Sequence, residues 1–255
     1  MFVRTLLLPI LPLILFFCTP SGVYGGTLDE EPNYPKGYFK AKGNDPSWIL
    51  NISNDKIAFE AEQPGFETMQ FPHAEPVKVS GYVGIKKYQS KSESAQIEIE
   101  IINTACQISE SHEGFSYTVK VAIKRNIDST FIVFNGCGTY ITDPRLQERW
   151  ILEQLKEKPV TLSDFMGQMP SLAIKANGNS FSGFAGCDTI SGRIFSERSM
   201  LRFTDVVSEK ITCDASAMEA AFMQALSFST QFVVEDKKLT LSNPGGTTLI
   251  FRKAE

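Results

Sequence analysis

Few side chains in this 255-residue chain are equipped for chemistry: five cysteines, two histidines and one glycine-rich stretch. Cys18 lies in an apolar N-terminal segment, which leaves Cys106, Cys137, Cys187 and Cys213 for the folded body. An even number of cysteines in an exported chain points to disulfides. Four cysteines allow three pairings. The local ones, Cys106–Cys137 and Cys187–Cys213, keep each bridge within one part of the chain, at separations of 31 and 26 residues. Loops of that size each add roughly 3–4 kcal/mol by constraining the unfolded chain. Paired cysteines leave no thiolate to act as a nucleophile. Zinc has little support, because no C-x-x-C occurs and only His112 lies near a cysteine.

The histidines are equally unpromising as catalysts. His73 sits in a proline-rich stretch and His112 in a polar turn, so both read as surface residues. The chain contains no G-x-S-x-G, H-E-x-x-H or P-loop. A hydrolase would need one of these histidines buried beside a nucleophile and an acid. No catalytic, cofactor-binding or metal-binding residue is therefore assigned. Trp48 and Trp150 read as core residues, with a second role open to each as the lining of an apolar ligand site.

The stretch Ser180–Gly192, S-F-S-G-F-A-G-C-D-T-I-S-G, carries Gly183, Gly186 and Gly192 around Cys187, with Gly178 just upstream. Glycines at this density permit a bulge and a tight turn beside a buried bridge. A ligand-lining loop is the competing reading.

Positioning these residues calls for sheets. Trp48–Ile52, Lys56–Glu60, Val77–Val83, Ala95–Ile102 and Phe115–Ile123 alternate apolar and polar side chains, as half-buried strands do. Residues 61–76 carry three prolines and read as a long loop, and Lys86–Ser94 as an exposed hairpin end. Pro144–Glu148 reads as a linker. Beyond it come further short strands, a hairpin at Asn177-Gly178 and one helix, residues 214–226. Ser216 and Glu219 are spaced as a capping box, and Met218, Ala221, Phe222, Ala225 and Leu226 share one face of that helix. The fold class is mainly β (α+β): two small sheets or open barrels, the second with one helix. The expected divisions are 1–25 signal peptide, 26–37 exposed lead-in, 38–143 first β domain and 147–255 second domain.

Export follows from the N-terminus. Arg4, the apolar run Leu6–Phe17 and a small-residue segment ending at Val23 and Gly25 have the layout of a signal peptide. The mature chain would then start near Gly26 in the periplasm or outside the cell. The alternative is an outer-membrane lipid anchor on Cys18. A net charge of −4 offers nucleic acid no basic face, since residues 27–143 carry 11 basic and 16 acidic groups and residues 144–255 carry 13 of each.

Two resemblances add to this reading. Gly43-Asn44-Asp45-Pro46-Ser47-Trp48, with Cys106 and Asn135-Gly136-Cys137-Gly138, resembles a bacterial envelope domain that often begins G-N-E-P-F-W and closes on G-C. Asp45 stands in place of the glutamate and Ser47 in place of the aromatic. Glu148-Arg149-Trp150, Ser182–Asp188, Ser191-Gly192, Ile211-Thr212-Cys213, Met218-Glu219, Leu239-Thr240-Leu241 and Leu249-Ile250-Phe251 resemble the META domain, the family that includes the heat-shock protein HslJ. Asp188 replaces the usual asparagine. That resemblance implies a small, mostly β fold with one helix and a link to envelope stress, secretion or motility, and it supplies no established catalytic residues to carry over. The functional expectation is an exported, non-enzymatic envelope protein acting through contacts with other envelope proteins. The alternative is a module holding a small apolar or lipid ligand.

Overall fold

The computed structural model describes residues 37–78, 84–108, 114–165, 167–209 and 216–255. The signal peptide, all but the last residue of the lead-in, Cys18, His112 and Cys213 lie outside the described residues.

The first sheet has nine strands: β1 (Gly37–Asn44), β2 (Ser47–Ser53), β3 (Lys56–Ala61), β4 (Met69–Pro72), β5 (Val77–Lys78), β6 (Ile85–Lys91), β7 (Ala95–Ile102), β10 (Tyr117–Arg125) and β11 (Ile132–Tyr140). Their order is β4-β3-β2-β1-β11-β10-β7-β6-β5. A separate short pair, β8 (Cys106–Gln107) and β9 (Gly114–Phe115), lies outside it. Alternation sets the inner face: Ile97, Ile99 and Ile101 of β7 and Val119, Val121 and Ile123 of β10 are all buried. Phe39, Trp48, Phe59, Phe66 and Phe134 fill the space between the strands.

Two polar stretches differ from the sequence reading. Residues 61–76 contain an edge strand, β4, and a fully buried Phe66. Lys86–Ser94 is no loose hairpin end: β6 pairs with β7 from Ile85↔Ile102 to Lys91↔Gln96 and buries Tyr88 completely.

The second sheet comprises β12 (Arg149–Leu155), β13 (Lys158–Pro159), β14 (Ser171–Lys175), β15 (Ser180–Phe184), β16 (Thr189–Glu197), β17 (Met200–Glu209), β18 (Gln231–Glu235), β19 (Lys238–Asn243) and β20 (Gly246–Lys253). The order runs β13-β12-β14 through β20, and β20 pairs back onto β12, so these strands curl into a ring. The ring is nearly closed, with β17 and β18 paired at Met200↔Gln231, and it covers most of the edge groups that an open sheet would expose. The one helix, α1 (Ser216–Phe228), turns Phe222, Ala225 and Leu226 into this second core. None of the described helices is long and apolar enough to cross a membrane.

The linker is itself structured. Pro144–Leu146 forms a 3-10 turn, its Leu146 side chain fully buried in the second core. The Asn177-Gly178 hairpin is also more elaborate than a two-residue turn: a 3-10 turn, Ala176–Gly178, ends at Asn179 in the left-handed region with φ 47°. The described parts of both sheets fall in one compact unit, yet their buried apolar side chains form two separate clusters.

Candidate functional site

The glycine-rich stretch around Cys187 ties three elements together. Gly186, at φ 128°, turns the chain between β15 and β16; a Cβ there would sit 2.7 Å from Phe165 Cδ1. The same turn brings the Ala185 amide to the Asp188 carbonyl at 2.9 Å. The Asp188 amide donates to Glu219 Oε1 at 2.8 Å, fastening helix α1 to the turn. The Ser208 hydroxyl donates to Asp188 Oδ2, fastening β17 as well. Glu219, the expected capping-box residue, clasps the Asp188 turn. Cys187 is disulfide-bonded; its expected partner, Cys213, lies outside the described residues. Gly192 marks the β16–β17 bulge, where a Cβ would lie 2.7 Å from the Thr204 carbonyl.

The first bridge is Cys106–Cys137. Cys137 of β11 stands opposite Lys42 of β1, and the bridge pins the β8–β9 strap to β11. The Lys42 ammonium lies 5.4 Å from the Phe115 ring centre of that strap.

Trp48 and Trp150 both occupy cores, 2% and 1% exposed. Trp48 stacks on Phe59 at 5.8 Å and donates its indole N–H to the Asn135 carbonyl at 3.3 Å. Its ring covers two glycines: a Cβ on Gly43 would lie 2.2 Å from Trp48 Nε1, and one on Gly136 2.6 Å from Cζ2. The G-N-D-P-S-W and N-G-C-G segments are thus one packing device. Trp150 donates to the Leu146 carbonyl at 3.0 Å. A groove of about 470 Å³ on β6 and β7 is lined by Gln89, Ser90, Lys91, Gln96, Ile97 and Glu98, and neither tryptophan borders it.

A further group of ionisable side chains carries no signal in the sequence. Tyr38, Tyr88, Tyr117 and Tyr140 of the first sheet gather at the seam with the second, whose β16 contributes Phe195 and Glu197. Glu197 is only 8% exposed. Its carboxylate accepts from the Lys86 ammonium through Oε2 and from the Tyr88 hydroxyl through Oε1 at 3.4 Å. Lys86 also lies 5.0 Å from the Tyr140 ring centre and 5.8 Å from that of Phe195. His73 is half-buried rather than fully on the surface, with Nε2 3.0 Å from the Tyr38 hydroxyl. Burial pushes the Tyr38 phenol up to about 12. Burial also lifts Tyr88 and Tyr140 far above the ordinary phenol value, reinforced at Tyr140 by the Glu197 charge. No group of three His, Cys, Asp or Glu among the described residues is placed to hold a metal ion.

Comparison with known proteins bears on the second sheet. No curated protein matches the chain. An NMR structure of a protein from Burkholderia xenovorans is 22% identical over 42% of this chain and 82% of that one, with a TM-score of 0.37. A second NMR structure is 20% identical over 42% of this chain and 90% of that one, with a TM-score of 0.35. At these scores neither likeness carries an argument. Residues 144–255, which hold the whole second ring and its helix, match the family model of the META domain.

Proposed function

We propose that this chain is an exported protein of a bacterial envelope that works by contacting other envelope proteins, in stress tolerance or envelope assembly, and catalyses no reaction. The observation that carries this reading is the filling of both interiors by the protein's own side chains. Phe39, Phe59 and Phe66 in the first core, and Leu172, Phe222 and Phe251 in the second, are each 0% exposed. The reading of the tryptophans as ligand lining loses support from their burial and from the backbone carbonyls that take their indole N–H groups. The META domain family is not known for enzymatic members, and among the described residues Cys106, Cys137, Cys187 and His73 have structural partners. Export rests on the N-terminal apolar segment, and the second bridge, Cys187–Cys213, on the bonded state of Cys187.

Contact residues are best sought among exposed apolar side chains, since these cost free energy in water unless covered. Val207 on β17 is 64% exposed and Phe228 at the end of α1 59%. A benzoylphenylalanine placed at either position in intact cells should crosslink to a discrete envelope protein. Illuminated cells yielding only the uncrosslinked chain from both positions would count against the proposal. The intact mass of the exported chain should correspond to a start near Gly26; a lipid-modified Cys18 would replace that reading with an anchored one.

A further inference from the structure

Glu197 and Lys86 come from different sheets and are 111 residues apart in sequence. Each would read as an ordinary solvent-facing charge in its own strand. The fold instead takes the carboxylate almost wholly out of water. A buried charge left alone is very costly, so its position is tolerable only with its partners in place. Those partners all come from the first sheet: the Lys86 ammonium and the Tyr88 hydroxyl. Lys86 keeps 37% of its side chain exposed, so its own desolvation is incomplete. The pair thus has more to gain than a surface ion pair and less to lose than a fully buried one.

The surroundings make the arrangement directional. Phe195 meets Tyr140 edge-on, ring centres 4.9 Å apart, and the Lys86 ammonium sits within cation–π distance of both rings. One ammonium is therefore held by a ring of its own sheet and by a ring and a carboxylate of the other. Three flanking contacts join the same seam: Arg198 with Glu75 at 2.5 Å, the Thr142 hydroxyl with Asn179 Oδ1 at 2.6 Å, and the Asn179 side-chain amide with the Tyr140 carbonyl at 3.5 Å. The Arg198–Glu75 pair is well exposed and contributes little to orientation. Phe195 is the second-sheet side chain packed against the first hydrophobic cluster, and the buried residues of the two clusters remain separate, so no large shared core fixes how the sheets sit.

We propose that Lys86 and Glu197 form an electrostatic latch that locks the two sheets into one rigid body. Breaking it frees the sheets to reorient about residues 141–148 while each keeps its own core. The inference stands apart from the proposed function and does not rest on it.

The test uses the full mature chain and NMR relaxation of backbone amides, with Lys86→Glu, Glu197→Lys and the exchanged pair Lys86→Glu/Glu197→Lys. In the wild-type chain both sheets should share one rotational correlation time. Either single reversal places like charges at the seam. The sheets should then tumble separately, with correlation times roughly twofold shorter, as for bodies of half the mass. Amide shifts inside each sheet report that both remain folded. Exchanging the pair should restore the common correlation time. Should Glu197→Lys fail to fold, Lys86→Ala, which removes only a part-exposed side chain, carries the test. The proposal is overturned if Lys86→Glu and Lys86→Ala both keep the wild-type correlation time, or if the exchanged pair tumbles as loosely as the single reversals.

Discussion

Replacing Cys106 and Cys137 together by alanine should weaken the first sheet selectively, and by an amount set by the loop they close. The bridge joins residues 31 apart, and a loop of that length restricts the unfolded chain by about 3–4 kcal/mol. Cys137 is 2% exposed, so loss of its sulfur adds a packing cost of up to about 1 kcal/mol. With a urea dependence of about 1–2 kcal/mol per molar for a body of this size, the midpoint should fall by about 2 M or more. Each core carries one tryptophan, which makes the assay selective. In a Trp150→Phe background, fluorescence reports Trp48, whose indole bonds to Asn135 two residues from Cys137. In a Trp48→Phe background it reports Trp150 in the second core. The Trp48 transition should shift by the full amount and the Trp150 transition by much less. Equal shifts in both would mean that the two clusters unfold as one core. An unmoved Trp48 midpoint would mean that the strap held by Cys106 contributes nothing to the first sheet.

Three further outcomes follow from named contacts. Gly136→Ala would drive a Cβ to 2.1 Å from the Lys42 carbonyl and 2.6 Å from the Trp48 ring; it should destabilise by about 1–3 kcal/mol in urea titration, with a change in Trp48 emission. Alkali should also unfold the protein: with an ordinary value of 10.0 raised by burial to about 12, Tyr38 stays protonated when folded at pH values where the unfolded chain ionises. The folded state then binds more protons, so stability is full below pH 10 and falls as pH rises through 12, with Tyr88 and Tyr140 adding in the same direction. Tyrosinate absorbance should rise in step with unfolding; a smooth rise in a still-folded chain would contradict this. Finally, His73 Nε2 lies 3.0 Å from the Tyr38 hydroxyl, so His73→Ala should destabilise the first sheet by about 1 kcal/mol in urea titration; an unchanged midpoint would mean that this contact contributes nothing.

How much of this was legible beforehand depended on where the apolar signal lay. The strands over Ala95–Ile102 and Tyr117–Arg125 announce themselves, because every second residue is a branched aliphatic on the inner face. The local bridge at Cys106 and Cys137 was readable because both cysteines lie close to such strands. β6 was not readable. Its inward positions, Lys86, Tyr88 and Ser90, offer one large apolar residue, so the period-two pattern is carried by a single side chain. β4 was hidden for a related reason, since its short length, its Pro72 and the flanking Pro64 and Pro76 mimic a loop. The seam combines both difficulties. Lys86 lies on the strand that was misread, and Glu197 ends a strand on which a charge implies solvent. Only the closing of two separate sheets brings them together. The Cys187 turn lay between these extremes: its glycines and cysteine were visible, but the clasp from Glu219 on a helix 31 residues away was not.

Native mass spectrometry of the full mature chain, isolated gently from the cells that make it, tests most directly whether this protein acts by contact. The account expects the processed polypeptide, lighter by the hydrogens lost in two disulfides, alone or joined to another protein. A small apolar molecule retained in one-to-one ratio would contradict it.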